Sequence, residues 1–272
     1  MLLIYNFSLA ADDSPQQFEG FNLAGTDAGV KKWDIKGDHA DIIGDIVNLT
    51  NIVANAYGEE QTNLTAKTGT LNKATGKMHL EKDVVVTTES GEKLTTDTLD
   101  WERDKDLVKT DDKVVLTKEG MTATGTGAIG HPGLKTAQMN QDITVQIDTK
   151  SPDPLSSIVT ITCDGPLEID YNNQKATFNN NVVAIQNDRK LTADKMEALF
   201  DSQTKQIKEM ICTGHVTMRQ GENTTYSEKA VYNAEEQRLV LSGSPKLIFY
   251  TDNMNVLPNQ KKSPEEGESL RK

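Results

Sequence analysis

Apolar and polar residues alternate along most of this chain with a period of two. Met78, Leu80, Val84 and Val86 share one parity, while His79, Glu81 and Asp83 take the other. Val108, Val114 and Leu116 stand in the same relation to Lys109, Asp111 and Lys113. Such alternation marks β-strands with one buried face. Leu191 and Ala193 share a parity, but Met196, Ala198 and Phe200 take the opposite one. A slip of one residue marks a bulge, or a corner where the chain passes from one sheet to the next. Turn-forming stretches punctuate the pattern at 72–76, 89–91, 172–174, 187–188 and 220–223. Residues 194–200 and 229–236 have fair helix propensity, but their place in the alternation assigns them to strands.

The pattern also repeats. Similar segments begin at Leu64, Leu94, Met121, Leu191 and Thr225, at spacings of 30, 27, 70 and 34 residues. The long gap has room for two units with a linker. Each start is followed by a second apolar pair: Val84/Val86, Val114/Leu116, Ile143/Val145, Val216/Met218 and Pro245/Leu247. A polar or glycine turn precedes each pair: Lys82-Asp83, Asp112-Lys113, Gln141-Asp142, Gly214-His215 and Gly243-Ser244. One such unit cannot close a core, whereas stacked neighbours make a long one. The fold class is therefore all-β: an elongated two-sheet jelly roll, or solenoid-like stack of antiparallel hairpins, in two tandem units.

Composition narrows the chemistry. The 272 residues carry 41 acidic and 29 basic side chains, a net charge of −12, which disfavours nucleic acid as a partner. No run of about 18 apolar residues is present to span a bilayer. The start is mostly apolar, and Ser8-Leu9-Ala10 has a small-x-small form, so residues 1–19 read as a clipped export or anchor segment or, alternatively, a frayed strand. Residues 256–272 are polar and aperiodic and read as a disordered tail. Gly125 to Gly130 matches GxGxxG, but His131-Pro132-Gly133 follows where a dinucleotide site needs a helix. His39, His79, His131 and His215 lie in polar or turn contexts and make no metal set. No catalytic or cofactor motif is found, so the reading is of a non-enzyme without cofactor. Cys163 and Cys212 share inward parity; they either pair in an oxidising compartment or remain buried thiols.

The second half carries Leu191-Thr192-Ala193-Asp194, Cys212-Thr213-Gly214-His215-Val216-Thr217-Met218, Ala230-Val231-Tyr232-Asn233 and Leu239-Val240-Leu241-Ser242-Gly243-Ser244-Pro245. In this it resembles the LptA/OstA-like family of periplasmic lipopolysaccharide-export proteins, with His215 in place of the family's usual asparagine. The first half is similar to the partner family, LptC, at residues 29–40 around Trp33 and at 91–99 around Leu94-Thr95-Thr96-Asp97. The join falls near Pro152 and Pro154, which interrupt strand pairing. The chain thus reads as a fusion of an LptC-like unit (20–150) and an LptA/OstA-like unit (151–255), the alternative being one long LptC-like protein.

The resemblance implies a periplasmic lipopolysaccharide transport protein that binds lipid A acyl chains in a hydrophobic groove and bridges inner to outer membrane, anchored to the inner membrane if an upstream segment is missing. Inward parity supplies the candidate lining. In the first half it is Leu80, Val84, Val86, Leu94, Val114, Leu116, Ile143 and Val145. In the second it is Ile161, Leu167, Ile169, Phe178, Val182, Leu191, Met196, Phe200, Met210, Val216, Met218, Leu247 and Phe249. The plain alternative is that these fill a dry core. Implied partners are lipopolysaccharide, the inner-membrane export complex and the outer-membrane translocon, met through head-to-tail strand pairing, together with self-association. Residues 34–40 and 246–251 are the candidate edges. A structural or adhesin-like β-solenoid is the rival reading. A polysaccharide-active enzyme is disfavoured, because no inward carboxylate pair is found.

Overall fold

A computed structural model describes residues 16–58, 60–149, 158–204 and 206–250. The expected tail and most of the expected leader lie outside the described residues. Most of the described residues are in strands. The first half contributes β1 (Gln16–Asp27), β2 (Val30–Ile43), β3 (Ile46–Tyr57), β4 (Gln61–Asn72), β5 (Lys77–Thr88), β6 (Lys93–Glu102), β7 (Leu107–Lys118), β8 (Met121–His131) and β9 (Thr136–Asp148). The second contributes β10 (Ile158–Cys163), β11 (Leu167–Asp170), β12 (Lys175–Gln186), β13 (Arg189–Phe200), β14 (Ile207–Gln220), β15 (Asn223–Asn233), β16 (Arg238–Ser242) and β17 (Lys246–Ile248).

The strands form one antiparallel sheet of 17 members, an all-β jelly roll. From β1 to β9, and from β12 to β15, each strand pairs with the next in sequence. β10 and β11 lie end to end between β9 and β12, so together they fill the place of one long strand. They are the missing members in the 70-residue gap of the repeat. β16 and β17 share β15 in the same way. The two expected sheets are thus two leaves of one ladder, bent along a line of corners.

The corners arise from two kinds of irregularity. In β5, β9, β12 and β14, inward residues are spaced by four across the corner: Leu80/Val84, Met139/Ile143, Phe178/Val182 and Cys212/Val216, all buried. Between them sit left-handed residues, such as Lys82 and Asp83 (φ 66° and 54°), Asn180 and Asn181 (64° and 53°), and Gly214 and His215 (76° and 46°). In β3, β13 and β15 the spacing is three, as in Leu49/Ile52, Ala193/Met196 and Ser227/Ala230. The ladder register shifts at Glu81/Val84, Asn179/Val182, Thr192/Lys195 and Thr213/Val216. Lys82-Asp83 and Gly214-His215 are therefore bulges inside long strands, not the chain-reversing turns that their composition implied. Left-handed residues kink a strand without ending it. The expected corner between Leu191 and Met196 is one of these bulges.

The bend buries the residues on either side of it. Gly69 of β4 sits there with no room for a side chain: an added Cβ would lie 2.7 Å from Ile52 Cδ1 and 2.8 Å from Leu80 Cδ2. Where β10 gives way to β11, the corner of β12 is stitched to the break. Asn179 Nδ2 donates to the Pro166 carbonyl (2.9 Å) and Asn180 Nδ2 to that of Gly165 (2.7 Å). These bonds satisfy backbone acceptors that the interrupted ladder leaves open.

Two core clusters result. One runs from Ile35 to Leu99, across β2–β6. The other runs from Val114 to Ala230, across β7–β15, and passes without a break from β9 to β10. The break between the two clusters falls at β6/β7, inside the first half. There the ladder opens between Thr95 and Asp100, and the buried hydroxyls of Thr96 and Thr110 meet at 3.1 Å where other strands carry apolar pairs.

At the start of the chain, residues 16–19 belong to β1 rather than to a leader. β1 pairs along the outer side of β2, so residues 34–40 are an interior strand and not an edge. β1 escaped notice because Gln16–Asp27 is almost wholly exposed and shows little alternation. At the other end, β17 lies at the sheet margin, as expected for Lys246–Ile248.

Candidate functional site: an apolar trough along the corner line

Burial of the inward residues falls with distance from the corner. In β14, Cys212 and Val216 are buried while Met210 and Met218 are half-buried. In β13, Ala193, Met196 and Ala198 are buried while Leu191 and Phe200 are half-buried. β5 and β7 repeat the gradient, from Val84 to Val86 and from Val114 to Leu116. The inner surface is thus a trough with a closed floor and half-open walls.

The candidate lining residues divide accordingly. Leu80, Val84, Val114, Ile143, Val145, Ile161, Leu167, Phe178, Val182, Met196 and Val216 form the floor. Each such side chain contributes about 1.5–3 kcal/mol by burial. Val86, Leu94, Leu116, Ile169, Leu191, Phe200, Met210 and Met218 are half-buried on the walls. Leu247 and Phe249 are 50% and 65% exposed, so they line nothing that is covered. Leu247 does face inward, opposite Thr225, but among the described residues no further strand packs beyond β17. Parity gave its face and could not give its missing neighbour. The walls also include Trp101, Val108, Ile147, Val159 and Ala184. The parity of Val108, Ile147, Val159 and Ala184 matches that of the selected residues on their strands, so the alternation extended up to the turns would have found them, whereas Trp101 lies past the one-residue slip between Thr96 and Leu99.

A cavity of about 120 Å³ lies in the trough at the seam between the two core clusters. Leu94 and Leu116 line it from one leaf, and Val108, Ala128 and Ile169 from the other, with Thr110 and Val114 at the corner. Its wall is almost wholly apolar, a lining suited to apolar ligands.

The rim above this cavity is polar. Glu92 and Lys118 continue the inward parity of Leu94 and Leu116, and Lys118 Nζ donates to Glu92 Oε1 at 2.7 Å. Tyr171 continues the parity of Ile169 on the opposite leaf. Burial, then the carboxylates of Glu92 and Glu60, push the Tyr171 hydroxyl up to about 12, so it stays protonated. Glu60 accepts from the Ser90 backbone N–H at 2.8 Å, and its bonds to Ser90 hold its carboxyl below the ordinary value.

Cys163 and Cys212 are buried, separate thiols. They stand on β10 and β14, three ladder steps apart, about 14 Å, well beyond the roughly 7 Å Cα separation that a disulfide tolerates. Burial pushes Cys212 up to about 11 and raises Cys163, so both are unreactive at neutral pH. Among the described residues no group of three or more His, Cys, Asp or Glu side chains is placed to hold a metal, and no helix is long and apolar enough to cross a membrane.

The bent antiparallel sheet with a continuous apolar inner face is a β jelly roll, and comparisons with known proteins place it in a family. A family model described as "Lipopolysaccharide-assembly, LptC-related" matches residues 11–148, half of the chain. A second, described as "LptA/(LptD N-terminal domain) LPS transport protein", matches residues 161–268. The chain belongs to the LptC-related lipopolysaccharide-assembly family and carries an LptA-type segment after it. Among solved structures it is similar to LptH from Pseudomonas aeruginosa, whose title calls it the LptA homologous periplasmic component of the conserved lipopolysaccharide transport device. That match has 14% identity and a TM-score of 0.20, covering 70% of this chain and 95% of the other. No curated protein matches.

Proposed function

We propose that this protein carries lipopolysaccharide across the periplasm by holding lipid A acyl chains in the trough, and that its LptC-like part (20–150) and LptA-like part (151–255) are successive stations of one conduit. The observation that carries this reading is the apolar core running from Val114 to Ala230 through both matched segments, flanked by half-open apolar walls. An acyl chain of about ten methylenes costs roughly 8 kcal/mol to hold in water, at about 0.8 per methylene. A trough with similar walls at each station offsets that cost throughout the passage. Near-equal affinity along the trough then lets an incoming lipid displace the one ahead. The role is binding and passage, without bond-making, and the driving energy enters elsewhere. Among the described residues, no strand pairs with the outer edge of β1 or with the β16/β17 margin. They fit strand addition by like folds in the inner-membrane complex and outer-membrane translocon.

Intrinsic fluorescence provides the test. Trp33 and Trp101 pack half-buried against the first core cluster. Titration with lipopolysaccharide is expected to change their emission saturably, and lipopolysaccharide stripped of its acyl chains is expected to leave it unchanged. Equal responses to the two would overturn recognition of the acyl chains.

A further inference from the structure

β6 and β7 pair at their two ends but not between them. Residues 93–95 pair with 115–117 on one leaf, and residues 100–102 with 107–109 on the other. Residues 96–99 of β6 and 110–114 of β7 have no partner in this ladder. The other consecutive strands from β1 to β9 and from β12 to β15 leave at most three residues of a strand unpaired at a corner. Side chains alone bridge the opening. The buried hydroxyls of Thr96 and Thr110 meet at 3.1 Å, and Thr98 Oγ1 donates to Asp112 Oδ2 at 2.6 Å. The apolar core parts at the same place, Leu99 belonging to the first cluster and Val114 to the second. The cavity of about 120 Å³ fills the gap, with Leu99, Val108, Thr110 and Val114 in its wall. The junction of the two family segments shows the opposite: β9 pairs with both β10 and β11, and the second core cluster runs through it unbroken.

We infer that the β6/β7 seam is a hinge, on which β1–β6 and β7–β17 turn as two bodies. Each body holds its own close-packed core, and such cores resist deformation because all their contacts would be lost together. At the seam that resistance is missing. Paired hydroxyls rotate and re-form their bond over a range of separations, and the cavity gives the facing side chains room to shift. The three backbone pairs at each end keep the sheet continuous while it bends. The two margins of the sheet can then meet their neighbours at different angles with both cores intact. The flexible section lies inside the LptC-related segment and not where that segment joins the next. The inference concerns the mechanics of the sheet and stands apart from what travels along it.

The test compares two nitroxide pairs in the full chain by double electron–electron resonance, in a Cys163→Ala, Cys212→Ala background. One pair, Thr87→Cys with Thr160→Cys, spans the seam; the other, Gln146→Cys with Thr224→Cys, lies within the second body. All four positions are on one outward rung of the ladder, and each pair is five strand steps apart, about 24 Å. The distance distribution across the seam is expected to be about twofold broader than that within the second body, since motion concentrates where buried contacts are fewest. Thr96→Val with Thr110→Val replaces both hydroxyls by apolar groups of the same shape and is expected to narrow the seam distribution to the width of the other. Urea midpoints for every variant verify that the fold persists. Equal widths for the two pairs in the parent would overturn the hinge. A broad seam distribution that the double valine variant leaves unchanged would also overturn it. No lipid enters the measurement, so neither result bears on the trough reading.

Discussion

Asp34 is the most deeply covered charged side chain among the described residues, at 1% exposure. It faces away from the trough and is held by Lys31, by Asn55 Nδ2 at 2.9 Å and by the Tyr57 hydroxyl at 2.8 Å. Asn55 in turn accepts from Asn63 Nδ2 at 2.9 Å, so one carboxylate organises β2, β3 and β4. Lys31 first, then Asn55 and Tyr57, hold the Asp34 carboxyl well below the usual carboxylate range. A group depressed in the folded state stabilises above its unfolded value, near pH 4, and loses that contribution as pH falls through the folded value. Asp34→Asn is therefore expected to lower stability by about 1–3 kcal/mol at neutral pH. The gap should be constant above about pH 5 and shrink toward pH 3. Urea midpoints measured across that range decide it; a gap that widens in acid would contradict the assignment. The network was not evident in the sequence, because Asp34 has the parity of an exposed residue and two of its partners, Asn55 and Tyr57, lie 21 and 23 residues away.

At the scale of strands and corners, alternation located most elements from β4 onward but not β1 or β3, and the turns at 72–76, 89–91 and 220–223 fall between strands as expected. Strand length was less legible. A bulge and a hairpin turn draw on the same residues, so Lys82-Asp83 carried no mark distinguishing a bend from a reversal. The floor of the trough was legible at Leu80, Val182 and Val216 because parity persists through the bulge. The degree of opening at Val86 or Met218 was not, since it depends on the distance of the neighbouring leaf. The left-handed bulges make a direct prediction. Lys82, at φ 66° and exposed on the outer surface, should accept glycine at little cost. Lys82→Val is expected to lose about 1–2 kcal/mol, because a β-branched residue is strained in that conformation. Thermal or urea unfolding of the two variants compares them directly. Equal stability would mean that the corner is not built from left-handed backbone.

On the scale of the whole molecule, one bent sheet joins an LptC-related segment and an LptA-type segment without a gap in the ladder, through β9 with β10 and β11. On the proposed function, covalent linkage would replace an encounter between two carriers with a fixed neighbour and so raise the effective concentration of the next station. Outward ion pairs lie on the convex side, while the floor of the concave side is mainly apolar. The central claim is that lipid travels along the concave side of both segments. Its most direct measurement is photo-crosslinking to lipopolysaccharide from four single positions of the full chain. Two are inward wall residues, Val86 in the first segment and Met218 in the second. Two are outward residues, Val115 and Ile185, 37% and 44% exposed. Adducts at Val86 and Met218, with little at Val115 and Ile185, are the predicted result. Adducts at the outward pair alone, or equally at all four, would contradict the account.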